Sequence, residues 1–312
     1  MKNKYVFVFV MLLCISLAGV GVIAISAGSS ESGHGEFRIV TSFYPVYVAV
    51  ENIAGGIEVV ELSNMTEPKT GCLHDYQPST KDMVLLNEAD VFVINGGGME
   101  TFMEDVASRV PGLGIVTASD NMELLENRSG SHEGHETEHD HGDKNAHVWM
   151  SLARYETFVD NIASGLAGAD PVHALAYLDN AADYKRSVAE LSGETDGVRE
   201  FVKGRRAVLF QESSMYLAED LGLPVLEVLD LDGEAAVSAG DISHIIDLIG
   251  SDGEDTLLLC EERYSRSIAE TISQATGAPV CVLDTLTEGD YAVDSYLTSY
   301  RSNLKKITEA VK

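Results

Sequence analysis

The sequence is poor in cysteine and in positive charge, and each shortage excludes a class of protein. Four cysteines in 312 residues are too few for a scaffold held by disulfides. Lys and Arg total 21 against 50 Asp and Glu, a net charge of −29, so the chain would repel a phosphate backbone and we expect no nucleic-acid partner. The 45% hydrophobic content nevertheless excludes a disordered polyelectrolyte, and the length predicts two domains.

Common nucleotide-binding and catalytic motifs are missing as well. The sequence contains no Walker A loop, no G-x-G-x-x-G fingerprint and no G-x-S-x-G nucleophile elbow. The only run of three glycines, residues 96–98, follows an apolar segment and is interpreted as a tight turn from a strand into a helix. We therefore find no sequence signal for a nucleotide site or for a serine hydrolase.

The N-terminal segment predicts export from the cytoplasm. Residues 1–4 are basic, and the next 24 positions carry no charge. Residues 1–28 are therefore predicted to be a signal peptide or an N-terminal membrane anchor, with 29–36 as a tether, and both fates remain open. The protein is expected at the cell surface or in the periplasm. The sequons at Asn64 and Asn127 permit glycosylation of an exported chain.

Short apolar runs alternate with helix-period segments through most of the remaining chain. The runs predict eight strands, at Arg38–Phe43, Ile57–Leu62, Val91–Asn95, Gly114–Ala118, Ala207–Phe210, Val225–Leu229, Thr256–Cys260 and Val280–Leu283. The segments between them predict helices near 45–54, 79–88, 99–108, 212–221, 239–249, 265–276 and 290–310. A strand followed by a helix, repeated, is typical of parallel sheets with crossover helices, so the predicted fold class is α/β.

The alternation stops between Met150 and Val202, where no strand is predicted. Asp170-Pro171 predicts the start of a helix of about 25 residues, because Asp is a preferred N-cap and Pro a preferred first-turn residue. Its buried stripe is expected to contain Leu175, Leu178, Ala182, Val188 and Leu191, with Tyr184 alongside. We predict an N-terminal α/β lobe at 37–149, a helical linker at 150–204 and a C-terminal α/β lobe at 205–312.

Residues 126–144 form a His-rich loop without any hydrophobic residue; its four histidines are His132, His135, His139 and His141. Imidazoles bind zinc and similar ions, and nearby carboxylates attract cations, so the loop is predicted to collect metal. It also contains H-E-x-x-H at 135–139. Zinc proteases need that motif on a helix, whereas here glycines flank it and no apolar face would hold a helix, so a peptidase is disfavoured.

Four further polar residues are predicted to lie beyond strand ends. His74 follows the second strand, and His147 comes after the fourth strand and the His-rich loop. Gln211 and Asp284 follow two strands of the second lobe. Ligands of open parallel sheets bind outside the carboxyl ends of the strands, so these four residues are predicted to converge on one interlobe cleft.

Two cysteines of the second lobe, Cys260 and Cys281, end and begin neighbouring predicted strands. They either pair in a disulfide or are buried thiols that act as small hydrophobes. Their spacing does not decide between the two, and the buried thiols are favoured.

Ordered motifs along the chain are similar to those of a known family. They are Phe43-Tyr44-Pro45, His74-Asp-Tyr-Gln-Pro-Ser, His147-Val-Trp149 after a His-rich insertion, Gly277-Ala-Pro-Val-Cys-Val-Leu-Asp284, and Tyr296-Leu297 with Arg301-Ser-Asn303-Leu304. On these motifs the chain resembles, over nearly all of its length after residue 37, the zinc/manganese-type solute-binding receptors of ABC transporters, also called cluster A-I or cluster 9.

The resemblance implies two α/β lobes bridged by one rigid helix, with a metal ion between the lobes. The implied ligands are His74, His147 and Asp284, with Gln211 at the position where the family has His or Glu. A neutral amide oxygen is a poor zinc ligand, so the neighbouring Glu212 is the alternative. The ion would be divalent, zinc first and manganese second.

The resemblance also implies partners. The receptor would deliver its metal to the membrane permease subunit of an ABC transporter, which a cytoplasmic ATPase powers. It would act as a monomer and not as an enzyme. Two alternatives stay open: a secreted zinc-dependent hydrolase, and an extracellular metal buffer that acts through the His-rich loop alone.

Overall fold

The computed structural model describes residues 36–67, 70, 73, 76–128, 144–229, 237–250, 253–262 and 265–312. The predictions for residues 1–28, for His74 and for all four histidines of the His-rich loop fall outside these ranges. Phe37–Lys312 forms one compact unit. In the described ranges, no helix combines the length and the apolar character that a bilayer span requires.

A four-stranded parallel sheet forms the first lobe, in the order β2-β1-β3-β4. Its strands are β1 (Phe37–Thr41), β2 (Val60–Asn64), β3 (Val91–Ile94) and β4 (Gly114–Thr117), and its helices are α1 (Tyr44–Ala54), α2 (Thr80–Asn87) and α3 (Met103–Arg109). Every residue of β3 is buried, as is typical of a central strand in a parallel sheet. Helix α2 begins with a capping box, in which Ser79 and Asp82 satisfy each other's backbone N–H groups.

Two helices, α4 (Leu152–Ala169) and α5 (Ala174–Phe201), connect the lobes. Helix α5 has 28 residues and is therefore roughly 42 Å long. Near its start, Asn180 Nδ2 donates to the carbonyl of Ile53 in the first lobe at 3.0 Å. Near its end, Glu194 pairs with Arg301 of the second lobe at 2.8 Å. The predicted linker helix thus contacts both lobes.

The prediction of where this helix begins and which face it buries was partly wrong. Helix α5 begins at Ala174, because Asp170 does not act as its N-cap and instead accepts hydrogen bonds from His173 and Tyr177. Leu175 is 77% exposed. Leu178 and Ala182, which share its predicted stripe, are also exposed. The buried stripe is Tyr177, Ala181, Tyr184, Val188, Leu191 and Thr195.

The second lobe is another four-stranded parallel sheet, in the order β6-β5-β7-β8. Its strands are β5 (Arg206–Leu209), β6 (Val225–Val228), β7 (Thr256–Glu261) and β8 (Val280–Leu283), and its helices are α6 (Ser214–Asp220), α7 (Ala239–Ile249), α8 (Arg266–Thr276) and α9 (Ser295–Ala310). The two parallel-sheet lobes and the helical linker confirm the predicted fold class.

All eight predicted strands are present, with ends that differ by up to three residues. The helix starts differ more, since the helix predicted from residue 290 begins at Ser295. Apolar runs determine strands well because both faces of a parallel sheet are buried. Helix starts depend on capping and on neighbouring loops, which periodicity does not encode.

The cysteines of the second lobe are both buried free thiols. Cys281 on β8 pairs in register with Leu259 on β7, whereas its neighbour Cys260 pairs with Val282. Successive residues of a strand point to opposite faces, so the two thiols lie on opposite faces of the sheet. They belong accordingly to different hydrophobic clusters, which excludes a disulfide between them.

A cluster of buried tyrosines joins the linker helices to the second lobe. Tyr155 of α4 stacks on Tyr296 of α9, with ring centroids 4.0 Å apart, and its hydroxyl lies 3.3 Å from that of Tyr184 in α5. Burial raises the pKa of all three phenols, so they stay neutral hydrogen-bonding groups. This packing fixes the end of α9 that follows the predicted Asp284 ligand.

Candidate metal centre

The predicted ligand His74 lies outside the described residues, but residues on both sides of it are described. Leu73 is fully buried, and the backbone N–H of Tyr76 donates to the Leu73 carbonyl at 3.0 Å. The Tyr76 hydroxyl donates to Asp82 at 2.8 Å in the capping box of α2. Leu73 and Tyr76 are therefore attached to the first lobe, and both come after β2 and before α2 in the chain.

His147 lies in the short segment that leads into α4, and only 1% of it is exposed. Its ring is 5.2 Å from that of Trp149, and Trp149 in turn packs edge-on against Phe43 of the first lobe at 5.2 Å. Residues Val148–Met150 form one turn of 3-10 helix directly after the histidine. The buried aromatic rings of Trp149 and Phe43 thus hold the imidazole in place.

Asn145 connects this histidine to the loop that follows β5. Its Oδ1 accepts from the His147 backbone N–H at 3.0 Å and lies 2.9 Å from Nδ1 of the ring. Its Nδ2 donates to the carbonyl of Glu212 at 2.9 Å. One buried amide therefore contacts two of the predicted site residues, one from each lobe.

Trp149 makes the equivalent connection to the loop that follows β8. Its indole N–H donates to the carbonyl of Thr285, next to Asp284, at 3.0 Å. The Tyr296 hydroxyl donates to the Trp149 carbonyl at 2.6 Å. The segments that carry His147, Glu212 and Asp284 are thus joined by direct hydrogen bonds.

The backbone of Asp284 is held on both sides by Asn303 of α9. Asn303 Oδ1 accepts from the Asp284 N–H at 2.8 Å, and its Nδ2 donates to the Asp284 carbonyl at 2.7 Å. The Asp284 carboxylate accepts from the N–H of Leu286 at 2.8 Å, which closes an Asx turn. Leu286 is a buried residue with a left-handed φ of 58°, so the chain bends sharply just after the carboxylate.

Gln211 and Glu212 follow Phe210, the residue after β5, and both are buried. The Ser213 hydroxyl donates to Gln211 Oε1 at 3.4 Å. The carboxylate of Glu212 is a stronger ligand for zinc than the neutral amide oxygen of Gln211. The amide oxygen would suit a harder ion. The two neighbours therefore offer different chemistry at the same corner of the second lobe.

Among the residues that the structure describes, no three or more His, Cys, Asp or Glu side chains form a group able to hold a metal. His74 lies outside those residues, and the amide of Gln211 is not a group of this kind. Of the predicted set, the structure brings together the chain segments of His147, Gln211, Glu212 and Asp284.

A buried carboxylate supports the first-lobe side of this region. Glu100 accepts from the backbone N–H groups of Asn95 and Gly96 at 2.8 and 3.0 Å, and burial raises the pKa of Glu100 although these bonds oppose the shift. Glycines 96–98 all adopt positive φ, which confirms the predicted tight turn. Asn95 Nδ2 donates to the carbonyl of Ala146 at 2.9 Å, so this turn also anchors the residue before His147.

Sequence reasoning missed Asn145 and Asn303 as supporting residues. Asn303 had a detectable signal, since it occupies a position in the buried face of α9 with Tyr296, Tyr300 and Ile307. An amide on an otherwise apolar helix face predicts a buried hydrogen-bonding role. Asn145 had none, because it follows a polar loop and its contact with the second lobe is to a residue 67 positions away.

The chain is similar to proteins of known name over most of its length. The family model described as zinc-uptake complex component A, periplasmic (ZnuA), matches residues 39–310. The zinc-binding lipoprotein AdcA of Streptococcus pneumoniae (strain ATCC BAA-255 / R6) is 28% identical over 298 residues, covering 91% of this chain. The chain spans only 58% of that relative.

Two further comparisons cover most of the matched protein. The iron-binding protein YfeA of Yersinia pestis is 26% identical over 268 residues, which are 84% of this chain and 82% of the relative. The solved structure of the SBP FpvC from Pseudomonas aeruginosa in complex with Mn²⁺ has a TM-score of 0.75 and 25% sequence identity. That match covers 88% of this chain and 98% of the other.

Proposed function

Because this chain belongs to the family of the periplasmic component A of zinc-uptake complexes, we propose that it is an extracytoplasmic receptor for a divalent metal ion. The observation that carries the proposal is the joining of three segments at one place. Asn145 and Trp149, on either side of His147, hydrogen-bond to the backbone at Glu212 and Thr285 of the second lobe. The loops that follow β5 and β8 therefore both contact the segment that carries the buried imidazole of His147.

We propose His74, His147 and Asp284 as ligands, with Gln211 completing the set and Glu212 as the alternative. Two imidazoles, a carboxylate and one further oxygen suit zinc first and manganese second. The names of the relatives support a divalent ion and leave its identity to experiment, since they include a zinc-binding, an iron-binding and a manganese-bound protein.

The proposed partners are a membrane permease subunit and its cytoplasmic ATPase, to which the receptor would deliver the ion. The proposed location is the cell surface or the periplasm, with residues 1–28 as signal or anchor. The His-rich loop would collect metal near the site, because its base, where Asn145 N–H donates to the Leu125 carbonyl at 2.8 Å, is two residues from His147.

Metal binding to the purified protein tests the proposal. Zinc affinity is measured by competition with a chromophoric chelator, and one ion per chain is expected to bind tightly. His147→Ala or His74→Ala should each lower the affinity by more than about 100-fold, since loss of a direct ligand exceeds the 10–100-fold typical of outer contacts. His244→Ala is the matched control, because His244 lies on α7 with an exposed side chain and should leave the affinity unchanged.

Deletion of residues 129–143 separates the receptor from a metal buffer. The receptor keeps its single tight site after the deletion and loses weak binding only. If the deletion abolishes all binding while His147→Ala has no effect, the buffer is correct and the receptor is wrong. Hydrolytic turnover that a chelator removes would instead support the secreted hydrolase, which family membership disfavours.

A further inference from the structure

Asn145 is a buried amide whose orientation is determined from both of its ends. It is 1% exposed. On one side lies the backbone N–H of His147, which can only donate, and on the other lies the carbonyl of Glu212, which can only accept. The side-chain oxygen must therefore face His147 and the NH₂ group must face Glu212. The 3.5 Å contact from Nδ2 to the sulfur of Met215 agrees with this orientation.

The same oxygen lies 2.9 Å from Nδ1 of the His147 ring. An oxygen that only accepts requires a proton on its partner, so Nδ1 carries the hydrogen of the neutral imidazole. A neutral imidazole has one N–H and one lone pair, and the lone pair is then on Nε2. Metal ions bind the nitrogen that has the lone pair.

We infer that Asn145 is a positioning residue that fixes the tautomer of His147 and thereby makes Nε2 the metal-binding atom. The inference deepens the proposed function and rests on it for the metal, whereas the tautomer itself is a property of the metal-free protein. The amide also sets the angle of the ring relative to the second lobe, because its other end is bonded to the residue beside Gln211. A single side chain thus orients a first-lobe imidazole against the second-lobe corner of the site.

If Asn145 acted only by joining the lobes, the loss of another lobe-joining hydrogen bond should have the same effect as the loss of its side chain. The backbone carbonyl of Asn145 accepts from the Tyr216 hydroxyl at 2.7 Å, and this bond also joins the lobes. Tyr216→Phe removes that bond, together with the bond that the hydroxyl accepts from the Leu125 N–H at 3.1 Å, and leaves the amide beside the ring untouched. It is therefore the matched control for loss of a lobe-joining contact without loss of tautomer control.

The tautomer is measured by long-range ¹H–¹⁵N correlation on metal-free protein labelled with ¹⁵N-histidine at pH 8. The His147 signal is assigned from the spectrum of His147→Gln. The wild-type ring should carry its proton on Nδ1, as should the rings in Tyr216→Phe and in Asn145→Asp, which keeps an acceptor at that atom. Asn145→Ala should shift the ring towards the Nε2–H form and lower zinc affinity about 10–100-fold.

The results test the tautomer of His147 and the proposed metal binding separately. A wild-type His147 protonated on Nε2 overturns the inference without any variant, so a misfolded Asn145→Ala protein would not protect it. Equal tautomers and equal zinc affinity in wild type and Asn145→Ala also overturn it. The wild-type ring could carry its proton on Nδ1 while neither the wild type nor any variant binds zinc. In that case the proposed function is wrong, and the assignment of the His147 tautomer stands.

Discussion

Two glycines in the linker helices should respond to the same substitution with opposite signs. Gly165 lies in α4, where a Cβ atom would be 2.5 and 2.7 Å from the two methyl groups of Val116 in β4 and 3.1 Å from its Cβ. Because the Val116 Cβ is itself so close, rotation of that side chain cannot relieve the clash. Gly193 lies in α5, where a Cβ would meet nothing within 4 Å.

Gly193→Ala should stabilise the protein by about 0.5–1 kcal/mol, since glycine is a poor helix residue. The same gain applies to Gly165→Ala, but overpacking against Val116 costs about 1–3 kcal/mol. We expect a net loss of about 1 kcal/mol for Gly165→Ala, and a difference of about 2 kcal/mol between the two variants. The substitution would force the C-terminal part of α4 away from Val116 of β4.

Urea unfolding followed by the fluorescence of Trp149, the only tryptophan, measures both free energies. Adding Val116→Ala to Gly165→Ala should recover part of the loss, with a coupling energy of about 1 kcal/mol. Equal stabilisation by both glycine substitutions, or full additivity in the double variant, would refute the close contact of helix and strand.

Two further outcomes follow from the described residues. Burial alone would raise the pKa of Asp170, but hydrogen bonds from His173 and Tyr177 lower that pKa overall. The Asp170 carboxylate therefore stabilises the folded protein at pH values above its pKa in the unfolded chain. This stabilisation is lost as the pH falls through the lower pKa of the folded protein. Asp170→Asn should lower the free energy of unfolding, measured by urea titration at pH 7, by about 1–2 kcal/mol. The difference in this free energy between wild type and variant should become smaller below about pH 4. A difference that does not change with pH would contradict the lowered pKa of Asp170. Burial raises the pKa of Cys260 and Cys281 to about 12, so iodoacetamide at pH 8 should modify them only in denaturant, and a peptide linking the two by a disulfide would contradict their placement on opposite faces.

The sequence predicted strands and strand ends well because their determinants are local. Apolar runs identify both sheets, and the rule that ligands gather at carboxyl strand ends points to His147, Gln211 and Asp284. The structure joins the segments of these residues through backbone hydrogen bonds. Their roles as ligands stay predictions.

The buried face of α5 could not be predicted from the sequence alone, because two faces of the helix carry apolar residues. The helix has apolar residues in two phases, and Leu175 and Leu178 belong to the phase that faces solvent. The choice between phases depends on packing against α4, α1 and α9, of which α1 and α9 are distant in sequence. Asn145 was missed for the same reason, since its partner Glu212 lies in the other lobe.

The proposed site holds one divalent ion between the lobes, with Nε2 of His147 as a ligand. A crystal structure of the zinc-loaded protein, with anomalous differences collected on both sides of the zinc edge, tests it most directly. We expect one strong peak about 2.0–2.1 Å from His147 Nε2, with His74 and Asp284 also in contact and either Gln211 or Glu212 completing the shell. A peak that contacts only the histidines of the His-rich loop, or that lies on Nδ1 of His147, would contradict it.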